Sequence, residues 1–259
     1  MRPYATAQNI GTRDTQCDAT AIRTAPSGAR AYVLLDGIGS SQAIREWTVT
    51  AARRLARAAS RRGDAEAGLR HIYEGYAADP DREDPYELRY LPSAAAVVAV
   101  VVPGQPLQVA WAGDSRAYLL VRGVARRLTE DHNLRRVYPP TATYPHGGNR
   151  NRITSYLGGV DDDEQLTREY GHPAIESVTV PLDGPCRLLL ASDGAYEPHD
   201  DARHDLYAEL DDDPLAGVAT AFVNLAVETS LRTTAAAGSG VVHSSPHADN
   251  ATVLLADLA

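Results

Sequence analysis

The segment Leu188-Leu189-Leu190-Ala191-Ser192-Asp193-Gly194 is an apolar run that stops at an aspartate and a glycine. A short apolar run bounded by turn residues is typical of a strand that is buried on both faces of its sheet. The stretch Val33-Leu34-Leu35-Asp36-Gly37 has the same form, and Asp249 stands just before the apolar run 251–255. The sequence therefore predicts three buried strands that each carry an aspartate at one end.

The rest of the chain predicts an α+β fold. Further strands are predicted at 94–102, 107–112, 116–121 and 178–181, with the spacing of antiparallel hairpins. Apolar residues recur every three or four positions after Ser41, after Asp64 and after Asp213-Pro214, which predicts a helix at each place. Loops are predicted at 81–92, 130–152 and 235–248. Many strands with helices inserted at two places indicate helices packed on sheets.

Composition narrows the class of protein. The chain has 259 residues, of which 44% are hydrophobic, and a net charge of −9, so one domain is the first expectation. The negative charge argues against a nucleic acid or an anionic membrane as partner. Two cysteines are too few for a disulfide scaffold or a zinc pattern, which favours a cytoplasmic location. The N-terminal residues show no apolar signal core, and no apolar run approaches the ~20 residues of a membrane span.

The aspartates at the strand ends predict a metal site. A strand fixes the position of its last residue, so we expect Asp36, Asp193 and Asp249 to converge at one sheet edge. Converging carboxylates repel one another, and a divalent cation removes that repulsion. Oxygen ligands suit magnesium or manganese. For any single aspartate a turn cap is the alternative, and the acidic runs 161–163, 200–201 and 211–213 are interpreted as solvated loops.

Six segments resemble, in order, the motifs of the protein phosphatase 2C family of metal-dependent serine/threonine phosphatases. They are Asp36-Gly37-Ile38-Gly39, Ala112-Gly113-Asp114-Ser115-Arg116-Ala117, Leu128-Thr129-Glu130-Asp131-His132, Ile153-Thr154-Ser155-Tyr156-Leu157-Gly158, Leu190-Ala191-Ser192-Asp193-Gly194-Ala195-Tyr196-Glu197 and Asp249-Asn250-Ala251-Thr252. The resemblance is to a bacterial-type member and extends from about residue 11 to the C-terminus. It implies one domain over residues 1–259 with a four-layer αββα sandwich, in which two antiparallel sheets pack face to face with helices outside.

The resemblance also implies a metal centre. Asp36 would bridge two Mg²⁺ or Mn²⁺ ions with help from the Gly37 carbonyl, and Asp193 and Asp249 would complete the first metal site. The implied reaction is the hydrolysis of phosphoserine or phosphothreonine in a protein substrate by a metal-activated water, within a signalling pathway that has a cognate kinase.

Three further residues receive roles from the resemblance. Asp114 would help to bind a third, weaker ion, with Glu197 at the other position of that third site. Arg13 would be the phosphate-binding arginine, a role that suits a guanidinium because its fork matches phosphate oxygens and its charge does not titrate.

One departure from the family pattern concerns the second metal. The family reads Asn-Glu-Asp where this chain has Gln16-Cys17-Asp18, and the glutamate is the ligand that is lost. Thiolate is a poor ligand for magnesium and manganese, so the second site is expected to be weak, with Asp18 or a water in the missing position. Cys17 is then either a buried small side chain or a residue with a ligand or redox role.

Other departures and rival functions stay open at this point. Ile38 replaces a histidine found in many eukaryotic members, and His132 and His146 are expected to be structural or surface residues. The loss at Cys17 favours a regulatory or binding module with little or no turnover as the alternative function.

Two rival enzyme or binding classes rest on shorter strings. Gly113-Asp114-Ser115 with the Asp201-X-X-His204 spacing resembles a serine esterase of the GDS type. Gly37-Ile38-Gly39 after a strand is compatible with a dinucleotide site, although Gln42 takes the place of the third glycine.

Overall fold

The computed structural model describes residues 3–211, 214–232 and 246–258. Strands in these ranges are β1 (Tyr4–Asn9), β2 (Ala19–Thr24), β3 (Arg30–Gly37), β4 (Ala94–Val101), β5 (Leu107–Ala112), β6 (Arg116–Val121), β7 (Val124–Arg127), β8 (Glu176–Val180), β9 (Cys186–Ala191) and β10 (Ala251–Leu258). They form two five-stranded sheets, with the orders β2-β3-β4-β5-β8 and β1-β10-β9-β6-β7. Every pair of neighbouring strands in these sheets is antiparallel.

Eight helices occur in the described residues, and they lie between the strands along the chain. They are α1 (Gln42–Arg62), α2 (Ala65–Ala77), α3 (Pro85–Leu88), α4 (Leu134–Val137), α5 (Asp163–Tyr170), α6 (Asp193–Ala202), α7 (Leu206–Leu210) and α8 (Leu215–Arg232), with a 3-10 turn at Pro80–Arg82. The predicted starts of the first two helices are confirmed, because the side chains of Ser41 and Asp64 cap α1 and α2. The predicted cap Asp213 and most of the loop 235–248 lie outside the described residues.

Three apolar layers hold the molecule together. Tyr32 and Leu34 of β3 face the layer between the sheets, where they meet residues such as Leu190 and Leu254 of the second sheet. The alternate residues of β3 pack against α1 and α2, and the outer face of the second sheet packs against α6 and α8. This is the αββα arrangement that the family resemblance implied, and strands such as β3 are buried on both faces because a layer lies on each side.

Several elements differ from the sequence prediction. Strands β1, β2 and β7 and helices α5, α6 and α7 were not predicted, and α3 lies inside the segment 81–92 that was assigned to a loop. Of the acidic run 161–163, only Asp163 is helical, as the first residue of α5, and the run 200–201 lies in α6 rather than in a loop. The dinucleotide hypothesis is wrong, because both neighbours of β3 run antiparallel to it and no parallel strand–helix–strand unit forms.

Among the described residues, no helix has the length and apolar character that a membrane crossing requires.

Candidate active site

The three aspartates of the strand ends lie together at one end of the sandwich. Asp36 is in β3 of the first sheet, opposite Ala95 of β4. Asp193 follows β9 directly and is the first residue of α6, and Asp249 precedes β10, so these two belong to the second sheet. The predicted convergence therefore occurs, but it joins the ends of two facing sheets rather than one sheet edge.

The carboxyl groups of these aspartates interact strongly. Burial and the charges of Asp18 and Asp193 raise the pKa of Asp36 well above its usual range. Burial and the charge of Asp249 also raise the pKa of Asp193, against hydrogen bonds to Asp36 and Gly194 that lower it. Like charges that lie close in a poorly solvated site disfavour ionisation in this way.

Two more carboxylates complete this group. Asp18 is only 4% exposed, and both of its carboxylate oxygens are buried without a hydrogen-bond partner among the described residues. Burial and the charges of Asp193 and Asp249 raise the pKa of Asp18 to about 8, although the nearby hydroxyls of Thr252 and Ser192 lower it. Asp114 is 2% exposed, one of its oxygens also lacks a partner in the described part of the chain, and burial and Asp193 raise its pKa. We call Asp18, Asp36, Asp114, Asp193 and Asp249 the aspartate cluster.

The aspartate cluster fits a hard divalent cation. Buried carboxylate oxygens without donors are costly, and a cation both satisfies them and cancels their repulsion. A donor set made of oxygen atoms alone suits Mg²⁺ or Mn²⁺ and not the softer metals. The roles of the individual aspartates and of the Gly37 carbonyl as ligands stay predictions.

Two glycines and an asparagine bring the acidic segments together. A Cβ atom on Gly37 would lie 2.5 Å from the Cys17 carbonyl oxygen, and one on Gly194 would lie 2.2 Å from the Asn250 carbonyl oxygen. Asn250 accepts a 2.8 Å hydrogen bond at Oδ1 from the Cys17 N–H and donates from Nδ2 to the Ile10 carbonyl at 3.0 Å. The glycine of each Asp-Gly pair therefore allows close packing, and Asn250 ties the segment before β2 to β10.

Cys17 is a buried thiol at the position where the family has a glutamate. It is 1% exposed, and its Sγ donates to the Ser41 carbonyl at 3.6 Å. Burial raises the pKa of Cys17, so the sulfur keeps its proton and is a poor ligand for a hard cation. The neighbouring Asp18 carries its carboxylate into the aspartate cluster, where an oxygen ligand is needed.

Arg13 lies against the aspartate cluster. Its Nη2 is 2.5 Å from Asp249 Oδ2, and its Nε is buried without a hydrogen-bond partner in the described ranges. Burial lowers the pKa of Arg13, but the pairing with Asp249 and the charges of nearby aspartates raise it overall. The guanidinium therefore stays charged at the cluster, in a place where it can contact an anion.

Glu197 lies one turn into α6, beside the aspartate cluster. Burial and the charge of Asp193 raise the pKa of Glu197 to about 8, while Arg150 lowers it. Arg150 Nε is 3.0 Å from Glu197 Oε1, and its two terminal nitrogens donate to Asp201 at 2.9 and 2.8 Å. The sequence did not predict a role for Arg150, because it lies in an irregular segment and its partners are distant in the chain.

Two of the six motifs build the support for Asp114. Arg116 donates to both oxygens of Asp131 at 2.9 and 2.8 Å and lies 3.7 Å over the ring of Tyr196. The Tyr196 hydroxyl donates to the Asp114 carbonyl at 3.0 Å. The Gly-Asp-Ser-Arg and Leu-Thr-Glu-Asp-His segments are thus joined by a bidentate ion pair that holds the backbone at Asp114.

Replacing Arg116 with alanine is expected to destabilise the protein by about 3 kcal/mol. Breaking a fully buried ion pair costs about 3–5 kcal/mol, and we expect the lower end because this pair is partly exposed and Arg127 also pairs with Asp131. Urea unfolding measures the change. Arg168→Ala is the matched control, because its pair with Glu164 is exposed and should contribute less than about 1 kcal/mol. Equal losses in the two variants would contradict the structural role of Arg116.

The serine esterase hypothesis is wrong. The Ser115 hydroxyl is buried and has no hydrogen-bond partner among the described residues, so no histidine activates it. Asp201 pairs with Arg150, and His204 contacts Glu209 and His199 instead.

The two histidines of the central segment have the structural and surface positions that the sequence predicted. His132 is fully buried, accepts a 3.3 Å hydrogen bond from the Gly113 N–H and contacts Glu176 at 2.8 Å through Nε2. His146 is exposed.

A second buried histidine, His172, makes the stability depend on pH. Its Nδ1 donates to the Pro173 carbonyl at 2.9 Å, and its Nε2 accepts from the Thr154 hydroxyl at 2.8 Å, so the neutral ring is fully satisfied. Burial and the stacked ring of His132 lower the pKa of His172 to about 4. The unfolded chain therefore binds a proton first as pH falls below about 6.5, and stability falls with it.

We expect His172 to contribute a loss of about 2 kcal/mol between about pH 7.5 and about pH 5. Urea unfolding at both pH values measures it, and His172→Gln should show a smaller loss than the natural protein. An unchanged pH dependence in that variant would contradict the assignment.

The comparisons with known proteins agree with this site. The family model of protein phosphatase 2C matches residues 12–137, which include Arg13, Asp18, Asp36 and Asp114. None of the curated proteins matches the chain.

Solved structures share the fold over nearly the whole chain. The S. agalactiae serine/threonine phosphatase matches with a TM-score of 0.67 and 19% identity, over 99% of both chains. The PPM Ser-Thr phosphatase MsPP from Mycobacterium smegmatis in complex with cacodylate has a TM-score of 0.65 and 21% identity, over 99% of this chain and 98% of that one. The catalytic domain of the serine threonine protein phosphatase PstP in complex with two manganese ions has a TM-score of 0.61 and 22% identity, over 99% and 97%.

The matched family model covers the segments that bear Asp36 and Asp114, and the sandwich fold brings these residues to Asp193 and Asp249 of the later motifs. Residues 12–137 of the chain therefore match the protein phosphatase 2C family, and the whole chain shares the fold of solved serine/threonine phosphatases.

Proposed function

We propose that this chain is a metal-dependent phosphoprotein phosphatase that hydrolyses phosphoserine or phosphothreonine monoesters in protein substrates. The observation that carries the proposal is the aspartate cluster itself, in which buried carboxylate oxygens without donors lie beside a charged arginine. The match of residues 12–137 to the protein phosphatase 2C family model supports the same activity, as does the fold shared with bacterial serine/threonine phosphatases. We further propose that residues 1–259 act as one domain and that the protein works in the cytoplasm, opposite a cognate kinase.

The aspartate cluster would hold Mg²⁺ or Mn²⁺. Asp36 would serve two ions together with the Gly37 carbonyl, Asp193 and Asp249 would complete the first site, and Asp18 would supply oxygen near the second. When bound, two such cations would lower the pKa of a water toward about 7 and offset the charge of a phosphoryl group. The two manganese ions of the PstP catalytic domain support this metal content.

A third, weaker site would use Asp114. Glu197 occupies the matching position, and its ion pair with Arg150 weakens it as a ligand because the guanidinium competes for the same carboxylate. We therefore propose that Asp114 supplies most of the protein contribution to that third site.

Arg13 would bind the phosphate of the substrate. It lies at the cluster with its charge retained, and its pairing with Asp249 shows that the guanidinium reaches the predicted ligands. A phosphate bound there would accept hydrogen bonds from the guanidinium, which would orient the phosphorus and stabilise negative charge on the phosphoryl oxygens.

A second candidate function is a regulatory or binding module of the same fold with little turnover. The observation that favours it is Cys17, which places a buried, protonated thiol where the family has a carboxylate ligand. The two functions differ in one measurable property, the rate of metal-dependent phosphate release.

Phosphate release from a phosphothreonine peptide tests the proposal. With Mn²⁺ present, the natural protein should release phosphate, and a chelator should stop the reaction. A rate no greater than that of the Asp36→Asn variant would reject the phosphatase and favour the binding module. Binding of the phosphopeptide without turnover would be the positive sign of that alternative.

A further inference from the structure

A second cluster of metal-ligand type lies at the far end of α6, away from the aspartate cluster. The Nδ1 atoms of His199 and His204 are 3.2 Å apart. Glu209 of α7 places Oε2 2.6 Å from His199 Nδ1 and Oε1 2.9 Å from His204 Nδ1. The three groups can each offer one ligand atom within 4.8 Å of the others.

The backbone is built to produce this convergence. Helix α6 ends at Ala202 and is capped by Arg203, a non-glycine residue in the left-handed region with φ 58. The His204 N–H then donates to the His199 carbonyl at 2.9 Å, which turns the chain back over the helix. Helix α7 follows at once and brings Glu209 to the same point.

The hydrogen bond on the other side of His199 decides where its lone pair points. Nε2 lies 3.1 Å from the Phe222 carbonyl of α8, and a carbonyl can only accept, so Nε2 carries the hydrogen. The ring is 1% exposed and stacks on Phe222 with centroids 3.8 Å apart, which fixes its orientation. The Nδ1 lone pair of the neutral ring therefore faces the Glu209 carboxylate.

With an ionised Glu209, the hydrogens of the two histidines do not satisfy this group. A proton on His204 Nδ1 can serve either His199 or Oε1 of Glu209. Oε2 has no hydrogen-bond donor among the described residues, so it can be satisfied only by a proton of its own that it donates to His199 Nδ1, or by a cation. The neutral His199 ring donates from Nε2 to the Phe222 carbonyl and so has no hydrogen on Nδ1. An acceptor nitrogen and a carboxylate oxygen at 2.6 Å then repel each other.

We propose that His199, His204 and Glu209 form a site for a transition-metal cation of the zinc type, separate from the aspartate cluster. Two imidazole nitrogens and one carboxylate form a three-residue donor set that zinc takes in proteins, with a fourth position left for water. Zinc–nitrogen bonds of about 2.0–2.1 Å in a tetrahedron place two ligand atoms about 3.3 Å apart, close to the 3.2 Å between the two nitrogens here. The nitrogen–oxygen separations of 2.6 and 2.9 Å are shorter, so the Glu209 side chain would have to move outward to admit the ion. The Phe222 carbonyl is the outer partner that orients a metal-bound histidine.

The donor atoms of this site favour a different class of metal from the one that the aspartate cluster favours. Nitrogen ligands favour zinc, cobalt and nickel over magnesium, whereas an oxygen-only set suits magnesium and manganese. A cation here would connect the end of α6 to α7, and through His199 to α8, so it would stabilise the helical layer that carries Asp193 at its other end.

Cobalt binding to the full chain tests the proposal, because four-coordinate Co²⁺ with nitrogen ligands absorbs visible light strongly. Excess Mg²⁺ is added to fill the aspartate cluster. The natural protein should bind one Co²⁺ with a visible band, and Zn²⁺ should displace it. His204→Gln and Glu209→Gln should each weaken binding by more than about 100-fold, since even the loss of an outer partner costs about 10–100-fold. His71→Gln, at an exposed histidine of α2, is the matched control and should bind like the natural protein.

Two further measurements distinguish a lost metal site from an unfolded protein and from metal bound at the aspartate cluster. Far-ultraviolet circular dichroism should show that the variants fold, and Asp36→Asn should keep the visible band because it alters only the aspartate cluster. The proposal is overturned if the natural protein shows no band, or if folded His204→Gln and Glu209→Gln bind Co²⁺ as the natural protein does. Loss of the band in Asp36→Asn would also overturn it, by placing the metal at the other cluster.

Discussion

Replacing Asp36 with asparagine is expected to lower Mn²⁺-dependent phosphate release by at least about 100-fold, the size usual for losing one preorganised electrostatic contact. The same change should raise the melting temperature of the protein in a chelator. Asp36 is the carboxylate whose pKa is raised by burial and by four neighbouring aspartates, so the folded state is repelled by its own charges there. Asparagine keeps the shape and removes one charge.

The two opposite effects distinguish a metal ligand from a structural residue. Thermal unfolding should show a rise in melting temperature of about 2–4 °C for each kcal/mol of repulsion removed, and the further rise on adding Mn²⁺ should shrink. Asp183→Asn, at an exposed loop residue, makes the same change of charge and should alter neither quantity. A lower melting temperature together with lost activity would mean that Asp36 holds the fold together instead.

The Cys17→Glu variant is expected to bind Mn²⁺ about tenfold more tightly or better, equal to about 1.4 kcal/mol, and to release phosphate faster. The Cys17 side chain lies next to Gly37, since a Cβ atom on that glycine would be 3.0 Å from Cys17 Cβ. A longer carboxylate at this position would reach the region of Asp36 and supply the oxygen that the thiol does not. The added negative charge should lower the melting temperature in a chelator.

Isothermal titration with Mn²⁺ and the phosphopeptide assay check this expectation. Cys17→Gln is the matched control, because it has the length of glutamate without the charge, and it should gain little. Metal binding that is the same in both variants would show that position 17 does not face the second metal.

The strands that surround the site could be predicted from local sequence, whereas three edge strands, β1, β2 and β7, could not. β3, β9 and β10 are buried on both faces, so each reads as a continuous apolar run. β1 is at the edge of its sheet and alternates between buried and exposed residues over Tyr4–Asn9, which leaves a weak signal. An edge strand has only one neighbouring strand, so many of its side chains face solvent and can be polar. Its sequence therefore lacks the continuous apolar run of a central strand.

The start of helix α5 carries a capping signal in the sequence, but the segment was interpreted as a loop. Asp162 caps the helix through the Gln165 N–H, and the Gln165 side chain returns a bond to the Asp162 N–H. This reciprocal capping box is visible as an aspartate followed three residues later by glutamine. The helix start was missed because the three consecutive aspartates at 161–163 favour the interpretation of a solvated loop.

The acidic members of the site could be predicted from motif strings, whereas their partners could not. Asp36, Asp193 and Asp249 follow or precede apolar runs, which gave their positions. Arg150 reaches α6 from an irregular segment, and no short-range pattern records that contact. The sequence is compatible with Cys17 as a buried small side chain or as a residue with a ligand or redox role. Its hydrogen bonds to Ser41 and Asn250 support the first interpretation.

The aspartate cluster draws its carboxylates from both halves of the sandwich, so catalysis depends on how the halves dock. A slip of one sheet against the other would pull Asp36 away from Asp193 and Asp249 without altering either sheet. The apolar filling between the sheets, with residues such as Leu34 and Leu190, therefore acts as a spacer that sets the width of the metal site. Trimming that spacer should degrade ion affinity from a distance, even though its atoms touch no ligand.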